Sequence, residues 1–292
     1  APPAPCQAIQ YLETLKLLEG FDIAGMGHNT AETLHTFIEA VKLACIDRIT
    51  YTTMADSPTA GLLSDGYCEE RRKLIGERAG VSMGDTFRTE EQQGEIAPGD
   101  PEPWMKTECT THFDTIDADG NAVACTQSLG SGFGSAMVVP GTGVALNNFM
   151  NWFDNVKGSP NAIGPSRKNE MCVSPAQVWD KNGLRLLIGT PGSYGILQTT
   201  PQMIMNVLDH GMNVQAAIEA PRLKATRKFN VDVETRIPAD VRAELERRGH
   251  TLSELGDWSA GVGGGQGIHV DPVSGAFMGG GDPRRDGYAL GC

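Results

Sequence analysis

The chain has 292 residues, of which 40% are hydrophobic and 21% charged, and its formal net charge is −12. This length can hold one large domain or two of ordinary size, and the apolar fraction is ample for a buried core. The acidic charge disfavours nucleic acid or an anionic membrane as partner, and no apolar run approaches the ~20 residues of a membrane-spanning helix.

The first third of the chain predicts helices followed by a linker. Apolar residues recur at helical spacing over 6–18 and 30–49, with Thr30 positioned as an N-cap. Ser64 is positioned to cap a third helix. The stretch 86–108 is rich in glycine, proline and glutamine and poor in β-branched and aromatic residues, which is typical of a linker.

After the linker the apolar period changes to two, which is typical of strands. The predicted strands are 111–117, 122–128, 135–140, 143–148, 173–179, 184–190, 229–233, 267–271 and 276–281. The predicted helices are 196–209, 213–219 and 238–248, the last with Pro238 at its first position and Gly249 as its C-cap. This order favours an α+β fold of layered antiparallel sheets rather than a run of βαβ units.

The sequence shows neither a signal peptide at its start nor a metal-binding motif among its cysteines and histidines. Residues 1–6 lack the basic and apolar regions of a signal peptide, which favours an internal part of a longer chain, and the compartment stays open. The seven cysteines are scattered without a CxxC pair, so neither structural zinc nor a disulfide framework is expected. His28 and His35 lie seven positions apart, but no HExxH motif occurs. Asp282 and Asp286 are expected in a solvated loop.

A threonine at the end of the linker is the main catalytic candidate. Thr110 begins the sequence Thr110-Thr111-His112 at the start of a predicted strand. An N-terminal threonine can act as a nucleophile because its own α-amine, with a pKa of about 8, serves as the base. That chemistry requires a precursor to be cut just before the threonine. The alternative is that two threonines at a strand start only reflect β-propensity.

Short motifs on both sides of Thr110 stand in a fixed order. They are Leu18-Glu19-Gly20-Phe21-Asp22, Met26-Gly27-His28-Asn29, Asp117-Ala118-Asp119-Gly120-Asn121, Thr126-Gln127-Ser128, Phe133-Gly134-Ser135, Pro140-Gly141-Thr142-Gly143, Leu146-Asn147-Asn148, Ser174-Pro175, Gly189-Thr190-Pro191-Gly192 and Asp282-Pro283-Arg284-Arg285. In order and spacing the series resembles the γ-glutamyltranspeptidase family over nearly the whole chain. Residues 1–109 then correspond to the end of the large subunit with the linker, and 110–292 to the small catalytic subunit, together forming one structural domain.

The resemblance implies an N-terminal nucleophile hydrolase with an αββα sandwich, in which two stacked antiparallel sheets are flanked by helices. It implies a zymogen that cleaves itself after Cys109 into a pair of subunits. Thr110 would then attack a small-molecule amide, and water or an amine acceptor would release the acyl group, without cofactor or metal. By position, Ser128 hydrogen-bonds the nucleophile, and the N–H groups of Gly192 and Ser193 form the oxyanion hole. Ser193 stands where the family has a second glycine.

The positions that bind a γ-glutamyl group in the family are changed in this chain. Phe149 and Trp152 replace a Gln and an Asp, Met171 and Cys172 replace two serines, and Gly130 replaces an Asn. A zwitterion in a desolvated pocket needs charged or hydrogen-bonding partners, which these side chains do not supply. We therefore expect an acylase or amidohydrolase with a less polar or differently charged acyl group, as in the cephalosporin acylases and an oxamate amidohydrolase. The alternative is that some of the aromatic residues face the core.

Three further hypotheses stay open at the level of sequence. Cleavage after Glu108 would make Cys109 the N-terminal nucleophile. True γ-glutamyl transfer or glutathione hydrolysis would keep the chemistry of the family. A degenerate homologue would bind a ligand without turnover, and the retained Thr110, Ser128 and Gly192 argue against it.

Overall fold

The computed structural model describes residues 1–51, 57–83, 108–155, 158–159 and 161–291, with only the backbone of Glu108 and Cys109. Apart from residue 108, the predicted linker 86–108 lies outside the described residues.

The first part of the chain is helical. Its helices are α1 (Ile9–Leu18), α2 (Ile23–Met26), α3 (Ala31–Tyr51), α4 (Thr59–Leu62) and α5 (Asp65–Arg72). Both predicted caps are confirmed: Thr30 Oγ1 accepts the N–H of Thr33 at 3.2 Å, and Ser64 Oγ accepts that of Tyr67 at 3.4 Å. Helix α1 packs against both α3 and α5.

A β-hairpin carries the catalytic candidate. Strands β1 (Glu108–Ile116) and β2 (Ala122–Ser131) pair antiparallel, with Thr110 opposite Ser128. Asp117 Oδ1 closes the turn by accepting the N–H groups of Asp119 at 3.0 Å and Asn121 at 2.8 Å. The predicted hairpin is therefore confirmed.

A four-stranded antiparallel sheet forms the centre of the molecule. Its strands are β3 (Ala176–Asp180), β4 (Gly183–Gly189), β8 (Gln266–Val270) and β9 (Phe277–Gly281), in that spatial order. Helices α6 (Ile196–Leu208) and α7 (Val214–Glu219) pack on it, and so does the β1–β2 hairpin. Ile188 joins the buried cluster that contains the α6 residues Ile196 and Leu197, whereas Gly189 abuts the hairpin, so the two layers cover opposite faces. The predicted α+β sandwich is confirmed.

Of a third sheet only the middle strand was predicted, as 229–233. This sheet consists of β5 (Leu223–Ala225), β6 (Asn230–Val233) and β7 (Thr251–Glu254), and α8 (Ala239–Arg247) connects β6 to β7. Strands β6 and β7 pair parallel, so the chain does contain one βαβ unit. Its apolar residues join α1 and α3 in a second buried cluster.

Two predicted strands are wrong, and both ends of one predicted helix differ. Residues 135–140 and 143–148 form a loop with a single bridge between Val138 and Ala145. Ala136 has φ +58° within the first segment and Gly143 has φ +71° at the start of the second, and most apolar side chains here are exposed rather than packed. Pro238 lies at the N-cap of α8 rather than at its first helical position, and Arg248 rather than Gly249 is the C-cap.

Candidate active site

The hydroxyl of Thr110 is held by its neighbour across the hairpin. Thr110 Oγ1 donates a hydrogen bond of 2.9 Å to Ser128 Oγ, which also accepts the N–H of Gly130 at 3.0 Å. The antiparallel register causes this contact, because directly opposed residues project from the same face. The structure thus brings the predicted nucleophile and its predicted hydroxyl partner together.

The same face of the hairpin carries a buried polar cluster. His112 Nε2 lies 2.9 Å from Asp114 Oδ2, and Nδ1 lies 2.8 Å from Thr126 Oγ1. Burial raises the pKa of Asp114, and the bond to His112 acts in the opposite direction. A Cβ at Gly189 would lie 2.4 Å from the His112 ring, so only glycine lets β4 approach the hairpin this closely.

The loop after β4 lies at the same end of the sandwich as Thr110. The far end of the hairpin contacts β3, where Gln177 Nε2 donates to Ala122 O at 3.5 Å, so the chain direction of β1 opposes that of β4. Thr110 is two residues before His112, roughly 7 Å along the strand, and Gly192 follows Gly189 in the matching direction.

The predicted oxyanion pair stands at the entry to α6. Gly192 has φ +133° and Ser193 has φ +53°, both left-handed. Neither N–H donates to another described residue. Both precede the N-terminus of a 13-residue helix, where the dipole favours negative charge. The arrangement can therefore accept an anionic oxygen.

Three aromatic side chains pack together beside this region, and we call them the aromatic wall: Phe149, Trp152 and Tyr194. Phe149 is 8% exposed, and the other two are partly buried, so Phe149 faces the core. The ring centroids of Phe149 and Trp152 are 5.5 Å apart, and those of Trp152 and Tyr194 are also 5.5 Å apart. Gly130 touches its start, since a Cβ there would lie 3.6 Å from Phe149 and 2.1 Å from Asn148 Oδ1. The wall therefore runs from beside Ser128 to the residue after the predicted oxyanion pair.

The aromatic wall has a polar support that the sequence did not predict. The Tyr194 hydroxyl donates to Glu170, and the Arg48 guanidinium lies 4.6 Å from the Tyr194 ring centroid and 3.7 Å from Glu170 Oε2. Burial, followed by the charge of Glu170, raises the pKa of Tyr194 well above its usual value. The only sequence signal was the position of Tyr194 directly after Ser193.

The other two predicted pocket residues lie behind the wall. Cys172 is 2% exposed and belongs to the buried cluster against which Trp152 and Tyr194 pack. Met171 is half-buried, and its backbone carbonyl accepts the N–H of Gln7 at 2.7 Å. The structure does not place the side chain of Cys172 on an open surface of the site.

The remaining polar candidates belong elsewhere. His28 packs against His210 and His35 against His250. Within the described ranges no group of three or more His, Cys, Asp and Glu residues could hold a metal ion. The expectation of a solvated loop is wrong for Asp282, which is fully buried because its carboxylate pairs with the guanidinium groups of two buried arginines.

The part of the chain that the structure describes contains no helix with both the length and the apolar character needed to cross a membrane.

Comparison with known proteins extends the likeness to the whole chain. The family model Gamma-glutamyltranspeptidase matches residues 1–292. A glutathione hydrolase proenzyme of Pseudomonas sp. (strain A14) is 32% identical over 313 aligned residues, which cover 100% of this chain and 52% of that relative. The acylase ACY 1 proenzyme of Pseudomonas sp. (strain V22) is 32% identical over 254 residues, covering 86% and 43%.

A solved structure shows the same likeness in its fold. The crystal structure of cephalosporin acylase from Bacillus halodurans superimposes with a TM-score of 0.82 at 35% identity, covering 99% of this chain and 49% of that one. The chain thus spans about half the length of the relatives it matches. Because the match is continuous in sequence and in fold and is not confined to the motifs around Thr110, the chain belongs to the γ-glutamyltranspeptidase family of N-terminal nucleophile hydrolases.

Proposed function

We propose that this chain is the catalytic part of an amide hydrolase or acyltransferase in which Thr110, exposed by self-cleavage after Cys109, is the nucleophile. The observation that carries the proposal is the 2.9 Å hydrogen bond between Thr110 Oγ1 and Ser128 Oγ at the start of a strand. The relatives named above are proenzymes, which supports a processed chain. The two parts, 1–109 and 110–292, share both buried clusters, so non-covalent packing would hold them together as one domain after cleavage.

The chemistry follows from the groups around Thr110. Its freed α-amine takes the hydroxyl proton, and Oγ1 bonds to the amide carbon while the carbonyl electrons move to oxygen. The N–H groups of Gly192 and Ser193 hold this oxyanion. Collapse breaks the C–N bond, the amine leaves with the proton, and an ester to Thr110 remains. Water or an amine then repeats the sequence and releases an acid or a new amide.

The aromatic wall supports a substrate other than a γ-glutamyl compound. Trp152 is half-buried and Phe149 behind it is 8% exposed, and neither side chain supplies the anionic or polar partner that an α-amine would need. The Glu170 carboxylate is already engaged by the Tyr194 hydroxyl and by Arg48. We therefore favour an acyl group without the zwitterionic head. Glutathione hydrolysis is the second candidate, because one relative is named a glutathione hydrolase proenzyme.

A matched set of chromogenic amides tests this proposal. The γ-glutamyl, glutaryl and phenylacetyl 4-nitroanilides would be assayed with the full-length protein, the first two differing only in the α-amine. We expect kcat/KM for glutaryl or phenylacetyl to exceed that for γ-glutamyl by at least about tenfold, with no turnover by Thr110→Ala. A preference for γ-glutamyl would establish the second candidate. An unprocessed protein that turns over none of the three would support a binding homologue.

A further inference from the structure

Thr190 is separated from the predicted oxyanion pair, Gly192 and Ser193, by a single proline. We propose that the hydroxyl of Thr190 is a positioning group that holds the Pro191–Gly192 peptide plane, so that the Gly192 N–H faces the developing oxyanion. This positioning role rests on the proposed function, since the oxyanion arises only if Thr110 attacks an acyl carbon.

Both hydrogen-bonding capacities of the Thr190 hydroxyl are engaged in a buried setting. Thr190 is 0% exposed. Its Oγ1 donates to Pro191 O at 2.8 Å and accepts the N–H of Gly264 at 2.9 Å. The incoming N–H leaves the hydroxyl proton free to point at the carbonyl of the next residue. The direction of that bond is therefore fixed.

The carbonyl that Thr190 holds belongs to the same peptide unit as the Gly192 N–H. A trans peptide is planar, and its C=O and N–H point in opposite directions. Fixing Pro191 O therefore also fixes the direction of the Gly192 N–H. That N–H donates to no other described residue, so it is available to a ligand. Gly192 itself, with φ +133°, lacks the Cβ that would limit rotation of this peptide.

A rigid frame supports Thr190 from the opposite side. A Cβ at Gly263 would lie 2.3 Å from Thr190 Oγ1, so the two segments are in close contact. Asp282 fixes the same glycine segment, because its carboxylate accepts the Gly265 N–H at 2.9 Å and its own N–H donates to Gly265 O at 3.0 Å. Asp282 is in turn paired with Arg222 at 2.5 Å, with both side chains fully buried. The hydroxyl is thus anchored to the interior of the protein.

Paired substitutions separate positioning from stability. Thr190→Val keeps the shape and removes the hydroxyl, and Thr190→Ser keeps the hydroxyl. Thr14→Val is the matched control, because Thr14 is equally buried and its hydroxyl donates to Gln10 O at 2.8 Å within α1. Each full-length variant would be assayed with the 4-nitroanilide that the wild type turns over fastest. Active sites would be counted from the acyl-enzyme burst, and melting temperatures measured.

We expect Thr190→Val to lower kcat about 10- to 100-fold, with KM unchanged within about threefold. The reason is that a misdirected Gly192 N–H fails to stabilise the oxyanion, which exists only in the transition state. Thr190→Ser should restore kcat, and Thr14→Val should lower the melting temperature without lowering kcat. A Thr190→Val enzyme with wild-type kcat would overturn the inference and leave the proposed function intact. So would a Thr190→Val protein that folds but is not processed, because the hydroxyl would then serve cleavage. A wild type without Thr110-dependent turnover would overturn both.

Discussion

The backbone angles at 192 and 193 determine which side chains these positions tolerate. A left-handed conformation costs a residue with a Cβ roughly 1–2 kcal/mol, and glycine is free of this cost. Ser193 adopts φ +53°, whereas Gly192 at φ +133° lies where an L-residue is strained. If only the N–H groups act in catalysis, the serine side chain is dispensable and the glycine is required.

Two substitutions test this difference. We expect Gly192→Ala to lower kcat by about 100-fold, because the Cβ forces the peptide out of position. Ser193→Gly should keep kcat within about threefold and the free energy of unfolding within about 1 kcal/mol of the wild type. The measurements are steady-state kinetics and urea unfolding. Full activity in Gly192→Ala would contradict a role for this backbone in the oxyanion hole.

Gly130 stands where the family has an asparagine, and its surroundings leave little room for a side chain. The side chain of Asn148 fills the space beside it, with its Oδ1 2.1 Å from where a Cβ would lie, while its Nδ2 donates to Ser131 Oγ at 2.6 Å. Restoring the asparagine of the family at position 130 would therefore displace Asn148.

The steric part of this effect can be isolated with a second glycine. Gly130 has φ +91° and Gly120 has φ +82°, but a Cβ at Gly120 meets nothing within 4 Å. We expect Gly130→Ala to destabilise the fold by about 1–3 kcal/mol more than Gly120→Ala, since only the former adds overpacking to the cost of φ. Urea unfolding of both variants measures the difference. Equal losses would mean that Asn148 moves aside freely.

At the scale of elements, two histidines connect α3 to the start of β7. His35 Nε2 lies 2.9 Å from Gly76 O and donates to it, and a neutral His35 ring then accepts at Nδ1 from His250 Nε2 at 2.8 Å. The lowered pKa values of both rings favour their neutral forms. Burial, together with the nearby charges of Lys42 and Arg248, lowers the pKa of His250 to about 3. Burial also lowers the pKa of His35.

This pair should make the fold sensitive to acid. A histidine whose pKa is depressed on folding adds stability that is complete above the unfolded pKa of about 6.5 and is lost as the pH falls below it. Between pH 7 and pH 5 we expect the wild type to lose up to about 2 kcal/mol more than His250→Gln. Urea unfolding at both pH values provides the comparison. Parallel pH profiles would show that the pair does not titrate in this way.

The sequence predicted short elements such as β6 as well as long ones, but its clearest signals came from the long, periodic ones. Helix α3 has a continuous apolar face and a capping threonine, and the β1–β2 hairpin has a strong turn signal, so local rules are sufficient for both. Strands β5 and β7 are three and four residues long, too short to show a period, and tertiary contacts to α3 and α8 form them. Residues 133–148 show the opposite failure: their apolar pattern predicted strands, but most of these side chains are exposed and the strands do not form.

At the scale of the whole molecule, the candidate site combines what sequence can and cannot predict. The family likeness indicated both Ser128 and Gly192, and the register of the β1–β2 hairpin places Thr110 opposite Ser128. The Tyr194–Glu170–Arg48 contact joins three segments far apart in the chain, and no local pattern relates them. Asp282 was misjudged for the same reason, because its arginine partner at 222 comes from a different segment. Long-range pairing of polar groups is the part that sequence left open.

Processing of the whole chain tests the central claim most directly. Intact mass spectrometry of the denatured full-length protein, beside Thr110→Ala, reads the position of any cut. We expect two fragments from the wild type, with Cys109 ending the first and Thr110 beginning the second, and one uncut chain from Thr110→Ala. A second fragment that begins at Cys109, an uncut wild type, or a cut Thr110→Ala would contradict Thr110 as the self-exposed nucleophile.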